Sequence, residues 1–163
     1  MNIPSVAVFP GVFDPPHFGH YSLVEAAVRE FRIDMVLVCP IPSPNHKPNA
    51  SSYSHRLSMV EIMAQHHDSI VTPSRGNGLI GLLPASSEFR LGVREFTGAD
   101  SVFRLVGHDI VERDLGIIYR FCELGDIFLV GTTSLQFQLP EAVSRLRCVK
   151  TLKVAFSTSS TKF

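Results

Sequence analysis

Hydrophobic positions in this chain alternate between short continuous runs and helix-spaced stripes. Residues 6–9 form an apolar run stopped by Pro10 and Gly11, the pattern of a strand buried on both faces. Leu23, Val24, Ala27, Val28 and Phe31 then recur at helical spacing with polar residues between them, which predicts an amphipathic helix. Residues 34–39 predict a second buried strand ended by Pro40, completing a βαβ unit whose two strands should run parallel. Residues 41–54, with Pro42, Pro44 and Pro48, read as a loop. Ser54 is the expected cap of a helix reaching about residue 65.

Residues 69–72 predict a third strand, 75–87 a glycine-rich loop, 87–96 a helix, and 101–107 a fourth strand. Val111, Leu115, Ile118 and Cys122 lie on one stripe of a single expected helix stopped by Gly125. A strand at 126–131, a short helix at 140–145 and a strand at 149–156 follow, and the serine- and threonine-rich stretch 157–161 comes last. Repeated β-then-α predicts an α/β fold with an open, mostly parallel sheet and helices on both faces, in one domain over residues 1–163. In such a sheet ligands bind outside the carboxyl ends of the strands. The loops after strands one, two, four and the last carry the polar candidates, so they should converge on one edge.

Composition sharpens this. A chain of 163 residues with 45% hydrophobic content can bury a core without metals or disulfides. Lys+Arg and Asp+Glu number 15 each and no basic stripe stands out, which argues against nucleic acid as a partner. Cys39, Cys122 and Cys148 are far apart among apolar neighbours and read as reduced core residues. No apolar run reaches the ~18–20 residues of a membrane span and no leader pattern opens the chain, so the expected location is the cytoplasm, with no membrane partner. His66, His67 and Asp68 read as a solvated helix end rather than a metal site.

The densest chemistry lies in residues 9–20, where Gly11, Phe13, Asp14, His17, Gly19 and His20 follow the first strand and open the first helix. Two imidazoles three residues apart at a helix start, with a lysine from the next loop and a hydroxyl cluster, suit the oxygens of a polyphosphate. No nucleophile with a base partner is evident, so direct in-line attack of an acceptor phosphate on a nucleoside triphosphate is the reaction these parts fit. Such an acceptor is already anionic and needs no general base.

The pattern Gly11-x-Phe13-Asp14-Pro15-x-His17-x-Gly19-His20 closely resembles the signature of the HIGH-motif nucleotidyltransferases, a Rossmann-like superfamily. Asn45-His46-Lys47-Pro48, followed by His55-Arg56-Leu57-x-Met59, is most similar to the nicotinate/nicotinamide mononucleotide adenylyltransferases. Gly107-His108-Asp109 and Thr158-Ser159-Ser160-Thr161 resemble two further family motifs. The resemblance implies transfer of AMP from ATP to the phosphate of a small acceptor, with pyrophosphate released and magnesium carried by the nucleotide rather than by a protein metal site. It implies that His17, His20 and Lys47 act on the phosphates, and that Gly11, Phe13, Gly19, Gly107 and Asp109 bind ATP. Ser159, Ser160 and Thr161 would hold the β- and γ-phosphates, and Lys47 and Arg56 would meet the acceptor. Arg56 has an alternative role as an anchor between its loop and helix.

The chain departs from that pattern in places. Pro10 stands where a glycine is usual, no Ser-Tyr-Thr segment falls near residues 85–90, and there is no tryptophan. The arginine that closes the family's last motif would come next after Phe163, so the expectation is either a truncated sequence or one without a triphosphate ligand. Pantetheine-phosphate or cytidylyl transfer, and a non-catalytic nucleotide-binding regulatory domain, stand as alternatives.

Overall fold

The computed structural model describes residues 2–45, 47–132 and 139–154. Six strands, β1 (Val6–Gly11), β2 (Met35–Pro40), β3 (Ile70–Val71), β4 (Phe103–Gly107), β5 (Ile127–Thr132) and β6 (Val149–Lys153), form one sheet in the order β3-β2-β1-β4-β5-β6. Every pairing is parallel, so the expected mostly parallel sheet is wholly so among the described residues. The interleaved helices are α1 (Phe18–Phe31), α2 (Tyr53–Ala64), α3 (Ser87–Thr97), α4 (His108–Arg113), α5 (Leu115–Glu123) and α6 (Glu141–Ser144).

Strand alternation divides the core between two faces. Ala7, Phe9, Val36, Val38, Leu105 and Leu129 pack with Val24 and Ala27 of α1 and with Val60 and Met63 of α2. Val6, Val8, Leu37 and Cys39 pack with Phe89 and Val93 of α3. Val106, Phe128 and Val130 meet Val111, Ile118 and Phe121 of α4 and α5. Both faces are covered, which is why these strands read as continuous apolar runs. Gly131 is required where α1 crosses β5: a Cβ there would fall 2.1 Å from Leu23 Cδ1.

Several boundaries differ from the sequence reading for local reasons. Pro10 and Gly11 do not stop β1; they pair with Cys39 and Pro40 of β2, whereas pairing with β4 ends at Val8. Gly11 O accepts from Ile41 N at 2.8 Å, so by alternation the polar groups of Pro10 face the β4 side, where the ladder has ended and no N–H is needed. This divergence lies at the point where strand order reverses, the usual ligand crevice of such sheets.

The single helix expected after β4 is broken at Asp114. Its backbone (φ −147°, ψ 84°) leaves the helix and its carboxylate accepts from Ile117 N at 3.2 Å, capping α5. The cap of α2 is Ser52 rather than Ser54, through His55 N at 3.3 Å.

Cys122 and Cys148 are joined by a disulfide, with Cα atoms 5.9 Å apart, which corrects the reading of three reduced thiols. The β4-β5-β6 order brings the end of α5 beside the entry to β6, a juxtaposition that 26 residues of separation conceal. Cys39 is free and buried, and burial pushes its thiol pKa up. Among the described residues, no helix is long and apolar enough to cross a membrane.

One charged cluster is centred on a buried carboxylate. Asp126, at the entry to β5, accepts from Arg90 Nη1 (2.7 Å), Arg104 Nε (2.8 Å) and Val102 N (3.0 Å), and the Arg104 guanidinium lies 3.6 Å from the Phe121 ring centroid. It ties α3, β4 and β5 together at the amino edge of the sheet, opposite the polar loops.

Candidate active site

Because all strands are parallel, the loops after β1, β2 and β4 emerge at one edge. After β1, Phe13 adopts a left-handed backbone (φ 53°), Asp14-Pro15 is cis, and the chain enters α1 at His17. Phe13 is buried; its ring packs edge-on against Phe9 (5.2 Å) and His20 (4.8 Å). A Cβ on Gly11 would lie 2.9 Å from that ring. The Phe13 side chain is therefore the floor beneath His20.

The two histidines cap α1 reciprocally. His20 N donates to His17 Nδ1 (3.4 Å), His17 N donates to His20 Nδ1 (3.1 Å), and the rings stack with centroids 3.6 Å apart. An Nδ1 that accepts a backbone N–H carries no proton, so each neutral ring keeps its proton on Nε2 and offers it as a donor. Burial lowers the pKa of both. For His20 it falls to about 3, through burial first and then the nearby charges of His17 and Lys47. The pair consists of neutral donors near pH 7. Gly19 lies between them, in the first turn, where helix amides lack carbonyl partners within the helix.

Lys47 belongs to the loop after β2, and its charge adds to the lowering of the His20 pKa. Arg56 holds this arrangement. Its Nε donates to Ser51 O (2.8 Å), Nη1 to Val12 O (3.0 Å) and Nη2 to Pro42 O (3.1 Å), and the residue is 1% exposed. These bonds give Arg56 the anchor role that the sequence offered as its alternative: the guanidinium joins backbone carbonyls of both loops, and the residue also lines the cavity beside Lys47. Asp14 adds a second strap, accepting from Ser51 N at 2.7 Å, a bond that holds its carboxyl below the ordinary range.

A cavity of about 370 Å³ opens here, lined among others by Pro44, Asn45, Lys47, Ser52, Tyr53 and Arg56. Across the crevice, Gly107 caps α4 with extended backbone and Asp109 follows in its first turn. His46 and the Ser159, Ser160 and Thr161 motif lie outside the described residues. Sequence reasoning gave no role to Asp14, Ser51 or Tyr53. Asp14 stands inside the signature, but its partner is 37 residues away, so no local signal could reveal the strap. Among the described residues, no group of three or more His, Cys, Asp or Glu side chains is arranged to hold a metal ion.

An all-parallel sheet in the order β3-β2-β1-β4-β5-β6 with interleaved helices defines a Rossmann-like α/β class of protein. Residues 8–127 match the cytidylyltransferase-like family model, and the chain belongs to that family. The chain is 38% identical over 69 residues to a probable nicotinate-nucleotide adenylyltransferase of Trichormus variabilis, covering 42% of this chain and 33% of that protein. It is 28% identical over 109 residues to a similarly described protein of Listeria monocytogenes, covering 66% and 57%. The match thus spans about a third of the first relative's length and just over half of the second's. Among solved structures, a Plasmodium falciparum nicotinic acid mononucleotide adenylyltransferase complexed with NaAD superposes with TM-score 0.71 at 14% identity, covering 95% of this chain and 77% of that one. The same enzyme complexed with APC gives 0.67 at 12% identity, with the same coverage. These structural likenesses establish the shared fold.

Proposed function

We propose that the protein is an adenylyltransferase that moves AMP from ATP to the phosphate of nicotinate mononucleotide. The observation that carries this reading is the stacked His17/His20 pair, two neutral Nε2–H donors held by reciprocal capping, with the Lys47 charge beside it. An acceptor phosphate oxygen attacks the α-phosphorus, the bond to the bridging oxygen breaks, and pyrophosphate leaves with its electron pair. His17 and His20 hydrogen-bond the phosphate oxygens as charge moves toward the leaving group, and Lys47 neutralises charge on the phosphates. The backbone of Gly11, Phe13 and Gly19 borders the triphosphate, Gly107 and Asp109 meet the adenosine, and Ser159, Ser160 and Thr161 hold the β- and γ-phosphates. Magnesium would arrive on the triphosphate's own oxygens, where it neutralises charge.

The acceptor rests on the descriptions of the relatives and on the resemblance of residues 45–48 and 55–59. Pyrophosphate release with ATP or CTP against nicotinate mononucleotide, nicotinamide mononucleotide and phosphopantetheine tests it. ATP with nicotinate mononucleotide should give the highest kcat/KM. Turnover confined to phosphopantetheine, or to CTP, would move the protein to another branch of the family. Nucleotide binding without turnover would make it a regulatory nucleotide-binding protein.

A further inference from the structure

Tyr53 opens α2 and lines the cavity that contains Lys47. Its hydroxyl accepts from Gly81 N at 3.0 Å, joining the start of α2 to the loop between β3 and α3 across 28 residues of sequence. That loop is also held at its base by Asn77 and, toward α3, by Arg104 Nη1 donating to Pro84 O (3.5 Å) and Arg120 Nη2 donating to Ala85 O (3.2 Å). Asn77 Nδ2 donates to Thr72 O (2.9 Å), while its Oδ1 accepts from Ser74 N (2.9 Å) and Leu79 N (3.1 Å). Leu79 is fully buried beneath α3, in contact with Phe89 and Val93. Beyond Leu79 the chain turns through Gly81 (φ 74°) with Ile80 and Leu83 exposed on either side, and the Tyr53 bond is the cross-link to α2 at this tip.

The position of this tether separates the two substrates. The phosphate-facing histidines come from the loop after β1, and Gly107 from the loop after β4. The loops after β2 and β3, which Tyr53 joins, lie on the other flank of β1. An in-line reaction needs the acceptor to approach the α-phosphorus from the side opposite the departing pyrophosphate. We propose that Tyr53 is a positioning residue for the acceptor: by accepting the Gly81 N–H it holds the tip of the β3–α3 loop beside the Lys47 cavity and sets affinity for the phosphorylated acceptor, not for ATP. This rests on the adenylyltransferase reading above.

Tyr53→Phe keeps the ring and removes only the acceptor oxygen, and the freed Gly81 amide lies at an exposed position where water can reach it. With ATP and nicotinate mononucleotide as substrates, the KM for the mononucleotide should rise about fivefold, the effect of one lost hydrogen bond. The KM for ATP, kcat and the melting midpoint should stay at wild-type values. An unchanged mononucleotide KM would overturn the inference, as would equal rises in both KM values or a lowered melting midpoint, which mark a general structural role. Failure of the wild-type protein to turn over any phosphorylated acceptor is a separate result; it would remove the adenylyltransferase reading and this inference with it.

Discussion

His17 and His20 each accept the other residue's backbone N–H on Nδ1 while their rings stack at 3.6 Å. One pair of side chains thus starts the helix, fixes its own tautomers and presents two Nε2–H donors from a preorganised frame. Preorganised donors stabilise charge in a transition state because no reorganisation is needed as that charge develops.

Replacing His20 with alanine removes one Nε2–H donor and the acceptor for His17 N. The expected loss in kcat is about 100- to 1000-fold, the scale found when one donor to a developing charge is deleted. Stability should fall by only about 1 kcal/mol, the value of a helix cap. Pyrophosphate release paired with a urea melt checks both, and a variant with full activity would refute the assignment of His20 to the phosphates.

His20 also sets a pH dependence of folding. Its pKa is about 3 in the folded protein, against an ordinary histidine value in the unfolded chain. Between those values the unfolded state binds more protons than the folded one, so stability rises with pH across that window and levels off above about 6.5. His17, also lowered, contributes in the same direction. Urea midpoints over this range should show the slope, and His20→Ala should flatten it. Asp126, whose pKa is lowered by its arginine and backbone partners against the cost of burial, acts in a more acidic window: its contribution is present above about 3.9 and is lost as pH falls through its folded value.

The element order and the converging edge were legible because buried parallel strands and amphipathic helices leave strong local periods. What escaped the sequence depends on distant partners. Pro10 reads as a strand terminator until β4 is seen to diverge after Val8. Arg56 reads equally as ligand contact or anchor until the carbonyls of Val12, Pro42 and Ser51 surround it. Phe13 carries the signature, and the packing of its ring beneath His20 shows only in the fold. Asp126 sits among apolar residues with no local sign that Arg90 and Arg104 will both reach it. Motif spacing thus drew attention to residues 11–20, 45–48 and 55–59, while the hydrogen bonds that join these segments came only from tertiary contacts.

Arg56→Ala should be among the most damaging single changes to the fold. It empties the volume of a buried guanidinium and strands three carbonyls that had charged donors, a loss of roughly 3 kcal/mol or more. Arg56→Lys keeps the charge but cannot reach three divergent carbonyls with one ammonium, so it should recover only part of that loss. Because Val12 and Pro42 belong to the loops that carry His17, His20 and Lys47, kcat should fall in both variants even where they remain folded. Guanidinium chloride midpoints and steady-state rates measured on the same preparations check this; a lysine variant with wild-type stability would show that charge alone suffices.

The Cys122–Cys148 bond gives the last prediction. It closes a segment of 26 residues between α5 and β6, at a distance from the histidine pair in the sheet order. Constraining an unfolded chain over a loop of that size is worth about 3 kcal/mol in the chain-entropy account. Replacing both cysteines with serine should therefore lower the unfolding free energy by about that amount, while the mutual capping of His17 and His20, which needs neither cysteine, keeps kcat at the wild-type level. Alkylation of the unfolded, unreduced protein should label Cys39 alone, and prior reduction should add labels at Cys122 and Cys148. Three labels without reduction would mean that the pair is not oxidised in solution. The stability contribution would then have to come from packing of Ile118, Phe121 and Val149 in the same cluster.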